Sequence, residues 1–234
     1  MASRLQAYRV RRALRVLAMI VGALAIAVAG GYGFFRVFTL THVEVDGQGM
    51  TVAFDQNKIG QNLLFLQTDR IRTELLSEYP LLSDVRFEKK YPGTLVIHLV
   101  RREPFVLLDS RGVRYALDKN GVVLSELPAG GSYVLLQFQT PPLAVGGTVR
   151  DQNVVASLSF LRALHGVLPI SSMTEKDSTS LRAVMGNTDI FLPQNEDLSG
   201  KAATLQTIVE GFRIKGRLPS VIDLRFDKPV ITNE

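Results

Sequence analysis

His42, His98 and His165 are the only histidines in the chain, and none stands three or four residues from another. That spacing is what sets two imidazoles on one helical face for a metal, so no such pair is expected. The sequence has no H-E-x-x-H, no glycine-rich phosphate loop and no G-x-S-x-G. It has no cysteine, which excludes disulfides, thiolate metal sites and a cysteine nucleophile. His98 falls in a strand pattern and His165 at the end of a helical one, where structural roles are expected. Carboxylates such as Asp118 and Glu126 stand singly in turns or on polar strand faces, where a solvated acid is the default reading. No catalytic, metal or cofactor site is therefore expected. An anchored enzyme acting on peptidoglycan is the second reading, because single acids can still meet in three dimensions. A generic anchored binding module is the third.

These residues must be positioned by elements, and charge locates the first one. The chain has 234 residues and a net charge of +5, yet residues 1–35 hold Arg4, Arg9, Arg11, Arg12 and Arg15 and no acid. Removing those five from the 27 Lys and Arg leaves 22 against 22 Asp and Glu. The folded part is neutral, which argues against a nucleic-acid surface. Val16 to Phe35 carries no charge over 20 residues and is bracketed by Arg15 and Arg36. As a helix it would extend roughly 30 Å, the thickness of a bilayer core. The arginines place the N-terminal side in the cytoplasm. Tyr32, Phe34 and Phe35 sit near the opposite end, where rings favour the interface. Ala27-Val28-Ala29 has the small-x-small form of a signal-peptidase site, but the apolar run exceeds the usual h-region of about 7–15 residues, so an uncleaved anchor is expected. Ala25, Ala29 and Gly33 recur at i, i+4 and i+8, the spacing of a close-packing helix face.

After Arg36 the apolar period alternates between two and helical. Residues 38–47 read as a strand in which Val43 and Val45 alternate with polar residues. Thr68 or Asp69 can cap a helix through Tyr79 whose apolar side is Ile71, Leu75 and Leu76, ended by Pro80. Val85 and Phe87 then alternate with polar residues. Tyr91-Pro92-Gly93-Thr94 is a turn in which Gly93 is expected to accept a positive φ, and Leu95, Ile97 and Leu99 form the next strand face. Lys89-Lys90 reads as a solvated face. Arg101-Arg102-Glu103-Pro104 falls at the junction with a second unit, where it could set the angle between the two.

The second unit is strand-rich with two helices. Residues 105–108 and 113–117 are strands, and Asn120-Gly121 is a hairpin signal leading into Val122-Val123-Leu124. Tyr133–Phe138 is a further strand. Asp151 can cap a helix reaching His165, with Val154, Val155, Leu158, Leu161 and Leu164 as its apolar residues and Gly166 as its stop. Strands flank Gly186-Asn187. A helix of residues 198–212 buries Ala202, Leu205, Val209 and Phe212, and Val221–Phe226 reads as a last strand, with Ile222, Leu224 and Phe226 on one face. There is no 20–50-residue repeat.

A basic tail, one membrane helix, a small mixed unit and a strand-rich second unit resemble, in that order, the FtsQ/DivIB family of bacterial cell-division proteins. The stretch from Leu75 to Pro104 looks like the helix, hairpin and closing strand of a POTRA module. Asp118-Lys119-Asn120-Gly121-Val122 resembles the turn opening the family's second domain, and Val221–Asp227 its last strand. Two features depart from the family: Gly49 to Gly60 leaves room for only a short first POTRA helix, and Pro229 stands where a small residue is usual.

The resemblance implies an α+β fold: a basic cytoplasmic tail (1–15), a transmembrane helix (16–36), a POTRA-like β-α-β-β domain (37–103) and a mixed second domain (104–234) ending in a partner-binding strand. It implies a non-enzymatic scaffold of the division complex at the inner-membrane septum. There are no cofactors, no nucleic acid and no small-molecule substrate in this reading. The POTRA unit would contact other membrane-anchored division proteins, and the second domain a bitopic coiled-coil partner of the FtsB/FtsL type. The residues it nominates are Leu224, Arg225, Phe226 and Lys228. Phe226 is either a buried interface anchor or a core residue, and Arg225 would pair with a partner carboxylate.

Overall fold

The computed structural model describes residues 2–47, 62–126, 133–194, 196–214 and 216–232, with backbone alone for 2–16. The stretch from Gly49 to Gly60, where only a short first POTRA helix was expected, lies outside them. The chain divides into two compact units, Met1–Glu78 with Asp84–Val100, and Tyr79–Ser83 with Arg101–Glu234.

The first unit opens with α1 (Ala2–Val37), one unbroken helix whose apolar part, Leu17–Val37, has a mean hydropathy of 2.0 and is nowhere buried. A water-soluble fold would bury such a face, and a bilayer is the solvent that suits it. Next come β1 (His42–Asp46), α2 (Thr68–Glu78), β2 (Leu82–Lys90) and β3 (Thr94–Arg101). The sheet order is β1-β3-β2, with β1 parallel to β3 in the register Val43↔Leu95 and Asp46↔His98. The unit buries Ile71 and Leu75 of α2, Val85, and Leu95, Val96, Ile97 and Leu99 of β3, while Leu76 is half-buried and Val45 stays exposed.

Gly93 is required for a different reason than expected. It is not among the positive-φ residues, and the Tyr91–Pro92 bond before it is cis. A Cβ at position 93 would stand 2.7 Å from the Thr39 carbonyl oxygen and 2.7 Å from Thr41 Oγ1. The Gly93 carbonyl meanwhile accepts from the N–H groups of Thr41 and His42. The demand is for close backbone approach, which only a residue without a side chain permits.

The second unit is a nine-stranded sheet in the order β12-β11-β10-β9-β8-β7-β4-β5-β6. Its strands are β4 (Val106–Ser110), β5 (Val113–Leu117), β6 (Val123–Glu126), β7 (Val134–Gln137), β8 (Ser172–Asp177), β9 (Ser180–Met185), β10 (Thr188–Pro193), β11 (Val221–Asp223) and β12 (Val230–Thr232). The sequence reading missed β8. β7 and β8 pair in parallel and are joined through α3 (Gln152–Leu164), and β10 and β11 pair in parallel and are joined through α4 (Ser199–Ile214). Parallel neighbours need a crossover connection, so both helices lie over the sheet, where they also touch each other. The core combines Val154, Leu158, Phe160, Leu161 and Leu164 of α3 and Ala202, Leu205 and Val209 of α4 with alternate residues of the strands, such as Leu108, Leu136, Met173, Ala183, Ile190 and Ile222. Val155 is exposed instead, and Phe212 is only half-buried. Asp151 caps α3 by accepting from the N–H groups of Asn153 and Val154, and His165 closes the helix in the left-handed conformation at φ 49°.

Asp118 is not a solvated turn acid. It is 3% exposed. One carboxylate oxygen accepts from the backbone of Asn120 and Val122, and the other lies 2.7 Å from Arg102 Nη1. The same Arg102 donates through Nε to the Pro80 carbonyl. The Arg-Arg-Glu-Pro stretch thus spends its second arginine inside the second unit.

Candidate partner-binding edge

β11 begins on schedule and stops early. Alternation alone would carry the strand to Phe226, but it ends at Asp223. The cause is local. Asp223 Oδ1 accepts the Arg225 backbone N–H at 3.1 Å, an i→i+2 side-chain-to-backbone bond that competes with strand continuation. Leu224 makes one last link, donating its N–H to the Phe191 carbonyl at 2.8 Å. The chain then turns through 225–229 and returns as β12, antiparallel to β11 with Ile222 opposite Ile231 and Asp223 opposite Val230. Pro229 falls in the connection, where its missing N–H removes nothing from the ladder.

The turn sorts the four nominated residues. Leu224 is 1% exposed, and its side chain belongs to the core. Arg225 is already engaged within the chain. Its Nη2 lies 2.6 Å from Asp223 Oδ2 and its Nε 2.9 Å from Asp223 Oδ1. Hydrogen bonding from this guanidinium holds the Asp223 carboxyl below its ordinary pKa and raises that of Arg225. The guanidinium nominated for a partner carboxylate thus already holds one within the chain, with 30% of its side chain left exposed. Phe226 is 58% exposed, because the chain has left the strand and the parity that would have pointed it inward no longer applies. Its carbonyl accepts from Lys201 Nζ at 3.3 Å, and its ring centroid lies 5.6 Å from the Arg225 guanidinium. Lys228 is exposed.

The sequence reading missed three further groups. β12 itself is the outermost described strand, and Val230 is 54% exposed. The β-branched run Val230-Ile231-Thr232 directly after Pro229 was the signal that could have found it. Phe191 sits opposite Asp223 on β10, with Lys176 Nζ of β8 3.6 Å above its ring and Arg225 5.6 Å away. These contacts join β8, β10 and the 223–226 turn into one basic and aromatic surface.

The histidines lie elsewhere. His98 Nδ1 is 3.2 Å from Asp46 and its Nε2 3.4 Å from Glu88, a row across the three-stranded sheet. His42 is exposed on β1 and His165 caps α3. A groove of about 610 Å³ at the end of α4 is lined by Met185, Thr188, Val209, Arg213, Arg217 and Leu218, among others, with no histidine or carboxylate among the described residues of its wall.

Comparison with known proteins accounts for both units. Residues 38–102 match the POTRA domain, FtsQ-type, and residues 106–225 match the C-terminal region of cell division protein FtsQ/DivIB. The chain is 26% identical over 195 residues to cell division protein FtsQ of Bradyrhizobium diazoefficiens, covering 80% of this chain and 54% of that protein. It is 30% identical over 122 residues to the FtsQ of Novosphingobium aromaticivorans, covering 49% of this chain and 36% of the relative. Against the FtsQ of Zymomonas mobilis it is 29% identical over 114 residues, covering 47% and 34%. The chain thus spans about half the length of these relatives or less. The C-terminal match takes in 120 of the 234 residues, ending at Arg225 just before β12, and with it the chain belongs to the FtsQ/DivIB family of membrane-anchored cell-division proteins.

Proposed function

We propose that this protein is a non-catalytic scaffold of the division complex, and that it captures a partner segment along β12. The observation that carries the reading is the edge itself. β12 has a described neighbour on one side only, and the exposed Phe226 ring stands at the turn that feeds it. An extended partner segment can add to such an edge through main-chain hydrogen bonds, while an aromatic beside it supplies the desolvated anchor. The partner's expected class is a small bitopic coiled-coil protein of the FtsB/FtsL type. In this arrangement residues 1–15 lie in the cytoplasm, 16–36 cross the inner membrane, and 37–103 and 104–234 act outside it at the septum. The five arginines ahead of an apolar span support that orientation.

The reading is tested in dividing cells with the full chain, fused at its N-terminus to a fluorescent protein and carrying a photo-crosslinking residue at position 226 or 232. The expected result is a band at the constriction and a crosslink from both positions to one small bitopic protein. An intact, functional fusion spread evenly around the membrane, with no adduct from either position, would sink the proposal.

A further inference from the structure

The end of α1 is fastened to the first unit by a chain of aromatic contacts. Phe35 stacks on Phe65 with centroids 5.6 Å apart and planes at 16°. Phe38 packs against Phe34 at 5.0 Å and edge-on to Tyr91 at 5.7 Å. Asn62 clamps the arrangement. Its Nδ2 donates to the Phe35 carbonyl at 2.9 Å, one of the last four carbonyls that a helix leaves without an intrahelical partner, and its Oδ1 accepts from the Leu64 N–H at 2.9 Å. Leu63 N–H donates to the Phe38 carbonyl at 2.9 Å. Two separate pieces of chain, the 62–66 segment and the turn at Tyr91, are thereby held at the end of the membrane helix.

Both pieces display large apolar side chains to the outside. Phe65 is 67% exposed, Tyr91 56% and Leu64 37%. Exposed apolar side chains gathered in one place, unlike ones scattered singly, mark an interaction or membrane surface. Depth along α1 says what covers it. At about 1.5 Å of rise per residue, Phe35 lies about 3 Å short of the end of the apolar span at Val37. Phe65 is within 5.6 Å of Phe35, and the headgroup layer outside the hydrocarbon is about 5–8 Å thick on each side. Phe65 therefore lies at the depth of the lipid interface, wherever the rest of the unit is directed.

We infer that Leu64, Phe65 and Tyr91 form a lipid-contacting foot. With it the first unit rests on the membrane surface at the exit of α1, so that the unit is held by its own apolar contacts as well as by the tether. The occupant is the bilayer: the exposed rings connect to the span, Phe65 directly to Phe35 and Tyr91 through Phe38 to Phe34, and interfacial layers favour amphipathic rings. The inference rests on α1 crossing the membrane.

The chain has no tryptophan, so one introduced indole reports alone. F65W, Y91W and Y32W are each made in the full chain and reconstituted in phosphatidylcholine–phosphatidylglycerol vesicles, with and without bromine on the acyl chains near the headgroup. The expected result is blue-shifted emission for F65W, with a bromine-dependent loss comparable to that of Y32W. Y91W repeats the measurement without altering the Phe35–Phe65 stack. F65W and Y91W emission matching N-acetyltryptophanamide in water, unquenched while Y32W is quenched, overturns the foot and leaves the span intact. Failure of Y32W to quench removes the span, and the foot with it.

Discussion

The two edges of the nine-stranded sheet are finished in opposite ways. At the β6 edge the chain covers itself. Val123 N–H donates to the Gly147 carbonyl and Gly146 N–H to the Val123 carbonyl, both at 2.8 Å, and Val122 bridges Thr148. The turn that delivers β6 is organised by the buried Asp118, which holds two backbone N–H groups and Arg102 at once. At the β12 edge there are three strand residues, a half-open turn, and no further described strand. Sheet edges are templates for other chains, and proteins that want none cover them, as this one does at β6. The chain satisfies the β6 edge at Val123 and leaves β12 short and aromatic-flanked with no described neighbour on its outer side, a difference that supports the proposed capture of a partner at β12.

The contrast is broken most sharply at Asp118. Asp118→Ala leaves the Arg102 charge, 18% exposed at the side chain, without its carboxylate and two backbone donors without an acceptor. Removing one member of a buried ion pair costs about 3–5 kcal/mol. The expected outcome is a large drop in the thermal transition of the second unit, read by circular dichroism on the full chain in detergent. A change too small to measure would mean that the closed edge does not depend on this acid.

Phe226→Ala should do the reverse. Surface substitutions cost within about 0.5 kcal/mol of stability, whereas loss of a central aromatic anchor costs an interface about 2 kcal/mol or more, close to 30-fold in affinity. The transition temperature should stay put while recovery of the crosslinked partner collapses. If instead the unit unfolds early and the partner is kept, Phe226 acts as a core residue and the open edge loses its anchor.

Arg225→Glu probes the join between the two behaviours. It removes the charge-assisted bonds to Asp223 and sets a second carboxylate beside it. With the Arg225 side chain 30% exposed, solvent screening brings the expected cost to about 1–2 kcal/mol. Partner capture should weaken because the turn carrying Phe226 loosens. Arg225→Lys should recover part of both, since a lysine keeps the charge but not the two-point geometry.

What could be read from sequence divides along the same line. The span announced itself because 20 uncharged residues between arginines have few other uses, α3 because apolar residues at helical spacing meet a cap, and α4 by its helical spacing alone. The closed edge was legible as Asn120-Gly121, but the burial of Asp118 was not, since its partner Arg102 lies 16 residues away and only the fold brings them together. β8 was invisible because Thr174, Glu175, Lys176 and Asp177 leave Met173 as its one buried apolar residue, although the strand sits mid-sheet. The outermost described strand is β12, Val230–Thr232, beyond the expected last strand. Period-two alternation through Ile222, Leu224 and Phe226 read as a strand, and nothing in the pattern marked Asp223 as the residue whose side chain would turn it.

The smallest effect is the pH dependence of that same turn. The Asp223 pKa is depressed in the folded chain, chiefly by hydrogen bonding from Arg225. A carboxylate with a depressed folded pKa binds its proton more readily when unfolded. Its contribution to stability is therefore fully present above the unfolded value of about 3.9 and fades as pH falls through the lower folded value. From pH 7 to 5 the Asp223–Arg225 pair should add no slope, and below about pH 4 it should begin to fail. Arg225→Met, which removes the donor without adding charge, should flatten this acid limb in the second unit and leave the neutral range with a constant offset. The measurement is the transition temperature of both proteins from pH 7 to 3. Parallel curves throughout would show that the bidentate pair does not hold the turn, and that the loop beside β12 is fixed by Leu224 and the Lys201–Phe226 bond alone.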